Sequence, residues 1–131
     1  MKTYLDASAL IKLLVAEHES PALRTYLSQL PTDTLFTAAL TRTELIRAAR
    51  RISATAVTGA RQVLAGLATV NLTATLLQAA ANLDPPLLRS LDAIHLAAAQ
   101  RAGTELRAVI TYDARMSDAA RALAIPVVGP S

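Results

Sequence analysis

Four carboxylate residues occupy positions at which an α/β fold could bring their side chains together. Asp6 and Asp113 each follow directly on a short apolar segment that is typical of a strand. Glu44 lies in the first turn of a predicted helix, and Asp92 lies in an otherwise apolar helical run. Because ligands bind beyond the carboxyl ends of the strands in open parallel sheets, we expect these four acids to converge at one edge.

Carboxylates that converge repel one another, and each raises the pKa of the others unless a cation lies among them. Mg²⁺ or Mn²⁺ is the expected cation, because both prefer oxygen ligands and accept one or two carboxylates together with water. A metal ion held in this way can activate a water molecule and neutralise the charge that builds on a phosphodiester during in-line attack. The four acids therefore predict a metal-dependent hydrolytic site.

Each acid also has a structural interpretation. Asp6 and Asp113 could be turn residues at the ends of strands. Glu44 could complete a capping box with Thr41, in which its carboxylate accepts from the Thr41 backbone amide. Asp92 is poorly explained in this way, because a carboxylate on an apolar face is costly to bury without a partner.

Two residues near these acids are interpreted as structural. His95 lies three residues after Asp92 and could share its helix face, but a histidine there is more often a hydrogen-bonded core residue than a ligand. Asp118 follows Ser117 and is expected to be a first-turn acid of the last helix, where the helix dipole favours it.

The elements that must position these residues alternate between strands and helices. Predicted strands cover residues 2–5, 34–38, 69–72, 107–112 and 126–128; predicted helices cover 8–15, 21–30, 41–52, 55–67, 73–83 and 87–102, with a short last helix capped by Ser117. This alternation implies right-handed crossovers and a parallel sheet covered on both faces. We expect one α/β domain over residues 1–131, with three α/β/α layers and a short, mostly parallel sheet.

The composition excludes several classes of protein. Hydrophobic residues make up 53% of the 131 residues and charged residues 18%, which excludes intrinsic disorder. Aromatic residues are only 3%, which argues against a single-strand binder built on stacked aromatic side chains. The absence of cysteine excludes disulfide scaffolds and thiolate chemistry, and it is consistent with a cytoplasmic location. The uncharged residues 62–83 carry polar side chains throughout, so we expect core structure there and no membrane association.

Two enzyme or signalling folds that gather acids around Mg²⁺ do not fit the sequence. A phosphatase of the haloacid dehalogenase type requires a second aspartate two residues after the first, where this chain has Ser8. A receiver domain requires an acidic pair at the first strand and a lysine after the last, whereas Asp6 stands alone and no lysine follows Lys12.

Four segments of the chain together resemble the PIN-domain ribonucleases, and within them the VapC toxins of VapBC toxin–antitoxin pairs. These segments read YLDASALIKLL, TRTELIRA, LRSLDAIHLAAA and VITYDARMSDAARALAIPVV, in the order and spacing of that family. The resemblance implies that Asp6, Glu44, Asp92 and Asp113 bind Mg²⁺ or Mn²⁺. It further implies that Ser8 orients the first carboxylate or a metal-bound water.

The same resemblance implies a function and partners. It indicates an endoribonuclease that cleaves structured cellular RNA, forms a homodimer, and is neutralised by a VapB antitoxin whose tail blocks the site. Two alternatives are a catalytically silent PIN-like binding module and a PIN nuclease that processes RNA outside a toxin–antitoxin pair. Loss of one of the four acids would have favoured the silent module, and none is lost.

The distribution of charge is consistent with a polyanionic partner. The chain has 13 Lys and Arg against 10 Asp and Glu, so the residues other than the four candidate acids are strongly basic. Arg47, Arg50 and Arg51 follow Glu44 at helical spacing and could contact RNA phosphates or an acidic antitoxin. Arg115, near Asp113, is a further candidate for such contacts. The alternative for these arginines is a solvated helix face.

Overall fold

The computed structural model describes all 131 residues and places a five-stranded sheet between two layers of helices. The strands are β1 (Lys2–Leu5), β2 (Thr34–Ala38), β3 (Ala68–Val70), β4 (Leu106–Ile110) and β5 (Val127–Val128). The helices are α1 (Ala7–Ile11), α2 (Ser20–Ser28), α3 (Ala39–Arg50), α4 (Ala54–Ala65), α5 (Ala74–Ala81), α6 (Ser90–Gln100) and α7 (Ala114–Ala122), and a 3₁₀ turn covers Gly103–Glu105. The predicted α/β/α architecture is confirmed.

The order of the strands determines where a ligand cleft can form. The sheet has the order β3-β2-β1-β4-β5, and all neighbouring strands are parallel. The chain builds the sheet outward from β1 through β2 to β3, and then returns to the other side of β1 for β4. A crevice forms at such a switch point, outside the carboxyl ends of the strands. Asp6 follows β1 at this edge, and Asp113 follows β4 beside it.

The two faces of the sheet carry separate apolar cores, because successive side chains of a strand point to opposite faces. Tyr4 and Val109 pack against α5, α6 and α7, whereas Leu5 and Ile110 pack against α1 to α4. Helix α6 contributes the buried run Ala97–Ala99 to the core that contains Tyr4 and Val109. The small alanine side chains allow the helix to pack closely on the sheet. No helix is long and apolar enough to cross a membrane.

The first helix is shorter than the prediction of residues 8–15. After Ile11 the chain continues in tight turns, and the amides of residues 12–14 bond three residues back. Side chains of α2 bind carbonyl groups of this segment: Ser20 Oγ donates to the Val15 carbonyl at 3.1 Å, and Arg24 donates to the Leu13 carbonyl at 3.0 Å. Contacts with α2 thus replace further helical turns.

Three predicted helix starts are wrong. Helix α6 begins at Ser90 rather than at residue 87, because residues 84–88 after the Asp-Pro-Pro break form bends and turns. Helix α3 begins at Ala39, so Thr41 lies inside it and makes no capping box with Glu44. Helix α7 begins at Ala114, and its N-cap is Asp113 rather than Ser117. The interpretation of Asp118 as a first-turn acid is therefore wrong as well, and this exposed side chain pairs with Arg121 at 3.6 Å.

A partly buried ion pair closes the opposite edge of the sheet, since the Arg107 side chain is 36% exposed. The carboxylate of Asp33, 1% exposed, accepts from Arg107 Nε at 2.6 Å and Nη2 at 3.0 Å, and from Thr3 Oγ1 at 2.9 Å. Arg107 contributes most to the lowering of the Asp33 pKa to about 2, and Thr3 contributes in the same direction. The pair joins β4 and β1 to the loop before β2.

Replacement of Asp33 by Asn is expected to lower the free energy of unfolding by about 1 kcal/mol at pH 7, because solvent around the partly exposed Arg107 screens the pair. Because the folded pKa lies below the ordinary value of 3.8, this contribution is fully present above that value and is lost as the pH falls towards 2. Urea unfolding at pH 7 and pH 2.5 measures it, with Asp118→Asn as an exposed control. An equal loss at both pH values would contradict the assignment to the ionised carboxylate.

Candidate active site

A cleft of about 350 Å³ opens at the carboxyl edge of the sheet. Six predicted site residues line it: Asp6, Ser8, Glu44, Asp92, Asp113 and Arg115. Arg89 and His95 also line it, although the sequence analysis did not place them among the site residues. Arg47, Arg50 and Arg51 lie outside the cleft, on exposed positions of α3 and its C-terminus.

Asp6 is the most firmly held of the four acids. It is buried, and it caps α1 by accepting from the Ala9 amide at 3.0 Å through Oδ1. Ser8 Oγ donates to the same oxygen at 2.7 Å, and Thr111 Oγ1 donates to Oδ2 at 2.5 Å. Burial raises the pKa of the Asp6 carboxyl, and these three hydrogen bonds act in the opposite direction. The carboxylate is therefore oriented before any ligand binds.

Ser8 and Thr111 also tie the loop after β4 to the start of α1. Ser8 Oγ accepts from the Tyr112 amide at 2.9 Å, and Thr111 Oγ1 accepts from the Asp113 amide at 3.1 Å. The position of Asp113 is thereby coupled to that of Asp6. Asp113 itself caps α7 through bonds from the Arg115 and Met116 amides. Asp6 and Asp113 therefore do have structural roles, but as helix caps rather than as the turn residues considered from the sequence, and these caps fix both side chains at the cleft.

Asp92 has no such support. It lies in the first turn of α6, and its Oδ2 atom is buried without any hydrogen-bond partner. Burial raises the pKa of the Asp92 carboxyl, and the negative charge of Asp113 raises it further. A buried, unpaired oxygen beside a second acid is unfavourable for folding, and it is the arrangement that a bound cation would relieve.

Glu44 projects from α3 into the cleft and accepts its hydrogen bond from a histidine. His95 Nε2 lies 2.8 Å from Glu44 Oε1, and the His95 side chain is 4% exposed. The other ring nitrogen, Nδ1, lies 2.6 Å from the Tyr4 hydroxyl and 3.4 Å from Thr41 Oγ1. Thr41 does not cap α3 as predicted; its hydroxyl faces His95 instead.

The donor atoms of the cleft fit Mg²⁺ or Mn²⁺. All four acids supply hard carboxylate oxygens, and the Asp92 Oδ2 atom is unpaired in the side-chain network. No three His, Asp or Glu side chains are grouped closely enough to form a metal centre by themselves. Mg²⁺ characteristically keeps several water ligands and uses only one or two carboxylates, so an open arrangement of this kind suits it better than a closed one.

Arginines without an acidic partner lie in two places, one beside the acids and one in a separate groove. Arg89 and Arg115 lie at the N-terminal ends of α6 and α7, beside the acidic floor of the cleft. Farther along α3, Arg47 lines a groove against α4 together with Arg42 and Arg61. No acidic side chain pairs with any of these arginines.

Known proteins resemble this chain over almost its whole length. The family model of the PIN domain matches residues 3–122. Ribonuclease VapC35 of Mycobacterium tuberculosis is 45% identical over 97% of this chain and 96% of its own length. Ribonuclease VapC46 of the same organism is 44% identical over 98% of this chain and 97% of its own length.

Solved structures share the fold at low sequence identity. Mycobacterium tuberculosis VapC20, described as a Sarcin-Ricin loop cleaving toxin, superposes with a TM-score of 0.76 at 18% identity, over 98% of this chain and 99% of its own. A chain of a toxin–antitoxin complex from Klebsiella pneumoniae gives a TM-score of 0.73 at 21% identity and covers 98% of both chains. The fold and the matched sequence together show that this chain belongs to the PIN domain family, in its VapC group.

Proposed function

We propose that this protein is a metal-dependent endoribonuclease and the toxin of a toxin–antitoxin pair. The observation that carries the proposal is the convergence of four carboxylates in one cleft, with the Asp92 Oδ2 atom buried and unpaired. Relatives at 44% and 45% identity are named ribonucleases, which supports RNA as the substrate.

Asp6, Glu44, Asp92 and Asp113 are proposed to hold Mg²⁺ or Mn²⁺. When bound, the metal ion would lower the pKa of a water molecule and neutralise charge on the scissile phosphate. Ser8 and Thr111 keep the Asp6 carboxylate oriented towards the cleft. We propose that Arg89 and Arg115, which line the same cleft, bind the phosphates that flank the scissile bond and so offset the repulsion between RNA and the acids.

The partners follow from the proposed toxin function. Two structural neighbours come from toxin–antitoxin complexes, and one of these is VapBC2 from Rickettsia felis. We propose that a VapB-type antitoxin neutralises this protein by covering the cleft. We also propose a homodimer that acts on structured cellular RNA in the cytoplasm.

The decisive experiment compares RNA cleavage with and without divalent metal. The purified protein is expected to cut RNA internally with Mg²⁺ or Mn²⁺, and EDTA is expected to stop cleavage, because water is a poor nucleophile near neutral pH without the metal. Gel electrophoresis of a structured RNA with mapping of the new ends measures this. Robust cleavage in EDTA would contradict the metal-dependent mechanism, and intact RNA with a protein that binds Mn²⁺ would favour the silent binding module.

Charge reversal of Arg47 and Arg50 is expected to weaken RNA binding and to lower the slope of log affinity against log salt by about 1.5, since two phosphate contacts are lost. Fluorescence anisotropy over a salt series measures this, with Mn²⁺ affinity expected to stay unchanged. Arg101→Glu with Arg121→Glu is the control for net charge, because it makes the same charge change at the far ends of α6 and α7, although it also removes the exposed pair of Arg121 with Asp118. Equal effects of both double variants would show that these α3 arginines act only through net charge.

A further inference from the structure

Glu44 is held differently from the other three acids. Asp6 has three hydrogen-bond donors, and Asp113 accepts from two backbone amides. Glu44 has the longest side chain of the four and makes a single hydrogen bond, with His95 Nε2. A long side chain held at one point depends on that one partner for its orientation.

The partners of His95 determine which ring nitrogen carries the proton. Because a carboxylate oxygen accepts hydrogen bonds, we assign Nε2 as the protonated nitrogen that donates to Glu44. In the neutral ring, Nδ1 is then an acceptor, and the Tyr4 hydroxyl at 2.6 Å is its donor. The Tyr4 oxygen in turn accepts from the Ala38 amide at 3.3 Å. Of the two hydroxyls that face Nδ1, that of Tyr4 is the nearer, since Thr41 Oγ1 lies 3.4 Å away.

Tyr4 is suited to act as the fixed end of the chain. It lies in the central strand β1 with no exposed surface, and its ring packs edge-on against Phe36 at 5.2 Å between centroids. Burial raises the pKa of the Tyr4 hydroxyl, so it stays protonated and remains a donor. The rigid sheet is thereby connected through His95 on α6 to Glu44 on α3.

We propose that Tyr4 and His95 are positioning residues, which fix the Glu44 carboxylate in the cleft through the hydrogen-bonded chain Tyr4–His95–Glu44. This proposal rests on the proposed function, because orientation of Glu44 matters when Glu44 holds a metal ion. His95 lines the cleft but is not a ligand, since its Nε2 atom is occupied by the hydrogen bond to Glu44. Partners of this kind set the orientation and basicity of a ligand without touching the metal.

The test removes the hydroxyl of Tyr4 and measures metal binding directly. Tyr4→Phe is expected to weaken Mn²⁺ binding about tenfold and to lower kcat for RNA cleavage by a similar factor, with KM for RNA unchanged. Thr3→Val is the matched control, because Thr3 is an equally buried residue of β1 whose hydroxyl bonds to Asp33 at the opposite edge. It is expected to lower Tm as Tyr4→Phe does and to leave Mn²⁺ affinity and kcat at the wild-type values.

A second pair of variants tests His95 itself. Gln carries an amide that can still donate to Glu44, whereas Leu fills the space without a donor. His95→Gln is expected to retain several times more Mn²⁺ affinity than His95→Leu at similar Tm. The ¹⁵N shifts of the His95 ring in the metal-free protein are expected to show a protonated Nε2 and a hydrogen-bonded Nδ1. Tyr4→Phe is expected to weaken the Nδ1 hydrogen bond, because only the longer contact with Thr41 Oγ1 at 3.4 Å remains.

The outcomes separate this proposal from the proposed function. If the wild type binds Mn²⁺ and cleaves RNA while Tyr4→Phe does both equally well, the positioning role is overturned and the function stands. If the wild type neither binds Mn²⁺ nor cleaves RNA, the function fails and the positioning role fails with it. An unprotonated Nε2 in the wild type would overturn the hydrogen-bonded chain whatever the metal does.

Discussion

Asp6→Asn is expected to lower metal-dependent RNA cleavage by at least about a hundredfold while the fold is retained. Asp6 lies at the centre of the cleft and would contribute a negative charge to the metal ion. Asparagine keeps the shape of the side chain but removes that charge. The asparagine side chain has a single oxygen, Oδ1, with which it could coordinate the metal ion. In the wild type, that position already accepts hydrogen bonds from the Ser8 hydroxyl and the Ala9 amide.

The fold is expected to survive this substitution because the hydrogen bonds can rearrange. In the Asn variant the side-chain amide would donate to Thr111 Oγ1, and the Thr111 hydroxyl could then donate to Ser8 Oγ, which lies 3.2 Å away. The Ala9 amide keeps its acceptor, so the cap of α1 is preserved.

The measurements are the initial rate of RNA cleavage at saturating Mn²⁺ and the Tm of the metal-free protein. Asp118→Asn is the matched control, since that side chain is 82% exposed on α7 and pairs only with Arg121. We expect wild-type activity from the control. An Asp6→Asn protein that is folded and retains more than a tenth of the wild-type rate would exclude Asp6 from the metal site.

Local sequence patterns predicted the scaffold well and the helix starts less well. The bounds of β1 and β2 agree with the prediction, because β1 ends where the sequence changes from Leu5 to Asp6 and β2 begins directly after the turn at residues 31–33. The Thr-x-x-Glu pattern at Thr41 matched a capping box, but α3 begins two residues earlier, at Ala39, directly after the end of β2. At α7 both Asp113 and Ser117 could cap, and the local sequence does not rank them.

The gathering of the acids was predictable, whereas the contacts that orient them were not. Residues at the carboxyl ends of parallel strands share an edge by topology, so Asp6 and Asp113 could be placed together from the order of elements alone. The contact of Tyr4 with His95 joins residues that are 91 positions apart, and it depends on how α6 lies across the sheet. Arg89 was missed because the predicted helix over 87–102 placed it inside a helix, whereas it is the N-cap residue of α6 and lines the cleft.

Asp92 distinguishes a functional cluster of carboxylates from four acids with structural roles. In the metal-free protein its Oδ2 atom is buried without a partner, and burial and the charge of Asp113 both raise its pKa. A carboxyl whose folded pKa lies above the ordinary value destabilises the fold at neutral pH, and this effect is relieved as the pH falls through the folded pKa. The position of Asp92 in the first turn of α6 acts in the opposite direction, because the helix dipole favours an acid there.

Asp92→Asn is therefore expected to leave the stability of the metal-free protein unchanged or to raise it by at most about 1 kcal/mol, because the open cleft screens part of the repulsion. Mn²⁺ is expected to raise the Tm of the wild type, since a ligand that binds only the native state stabilises it. The variant is expected to lose most of that gain together with RNA cleavage. Thermal melts of both proteins with and without Mn²⁺ measure these effects, and Asp118→Asn again serves as the control.

If Asp92 is only structural, the variant will be less stable without metal, and Mn²⁺ will shift the Tm of neither protein. A destabilised variant that still gains the full Mn²⁺ shift would remove Asp92 from the metal site.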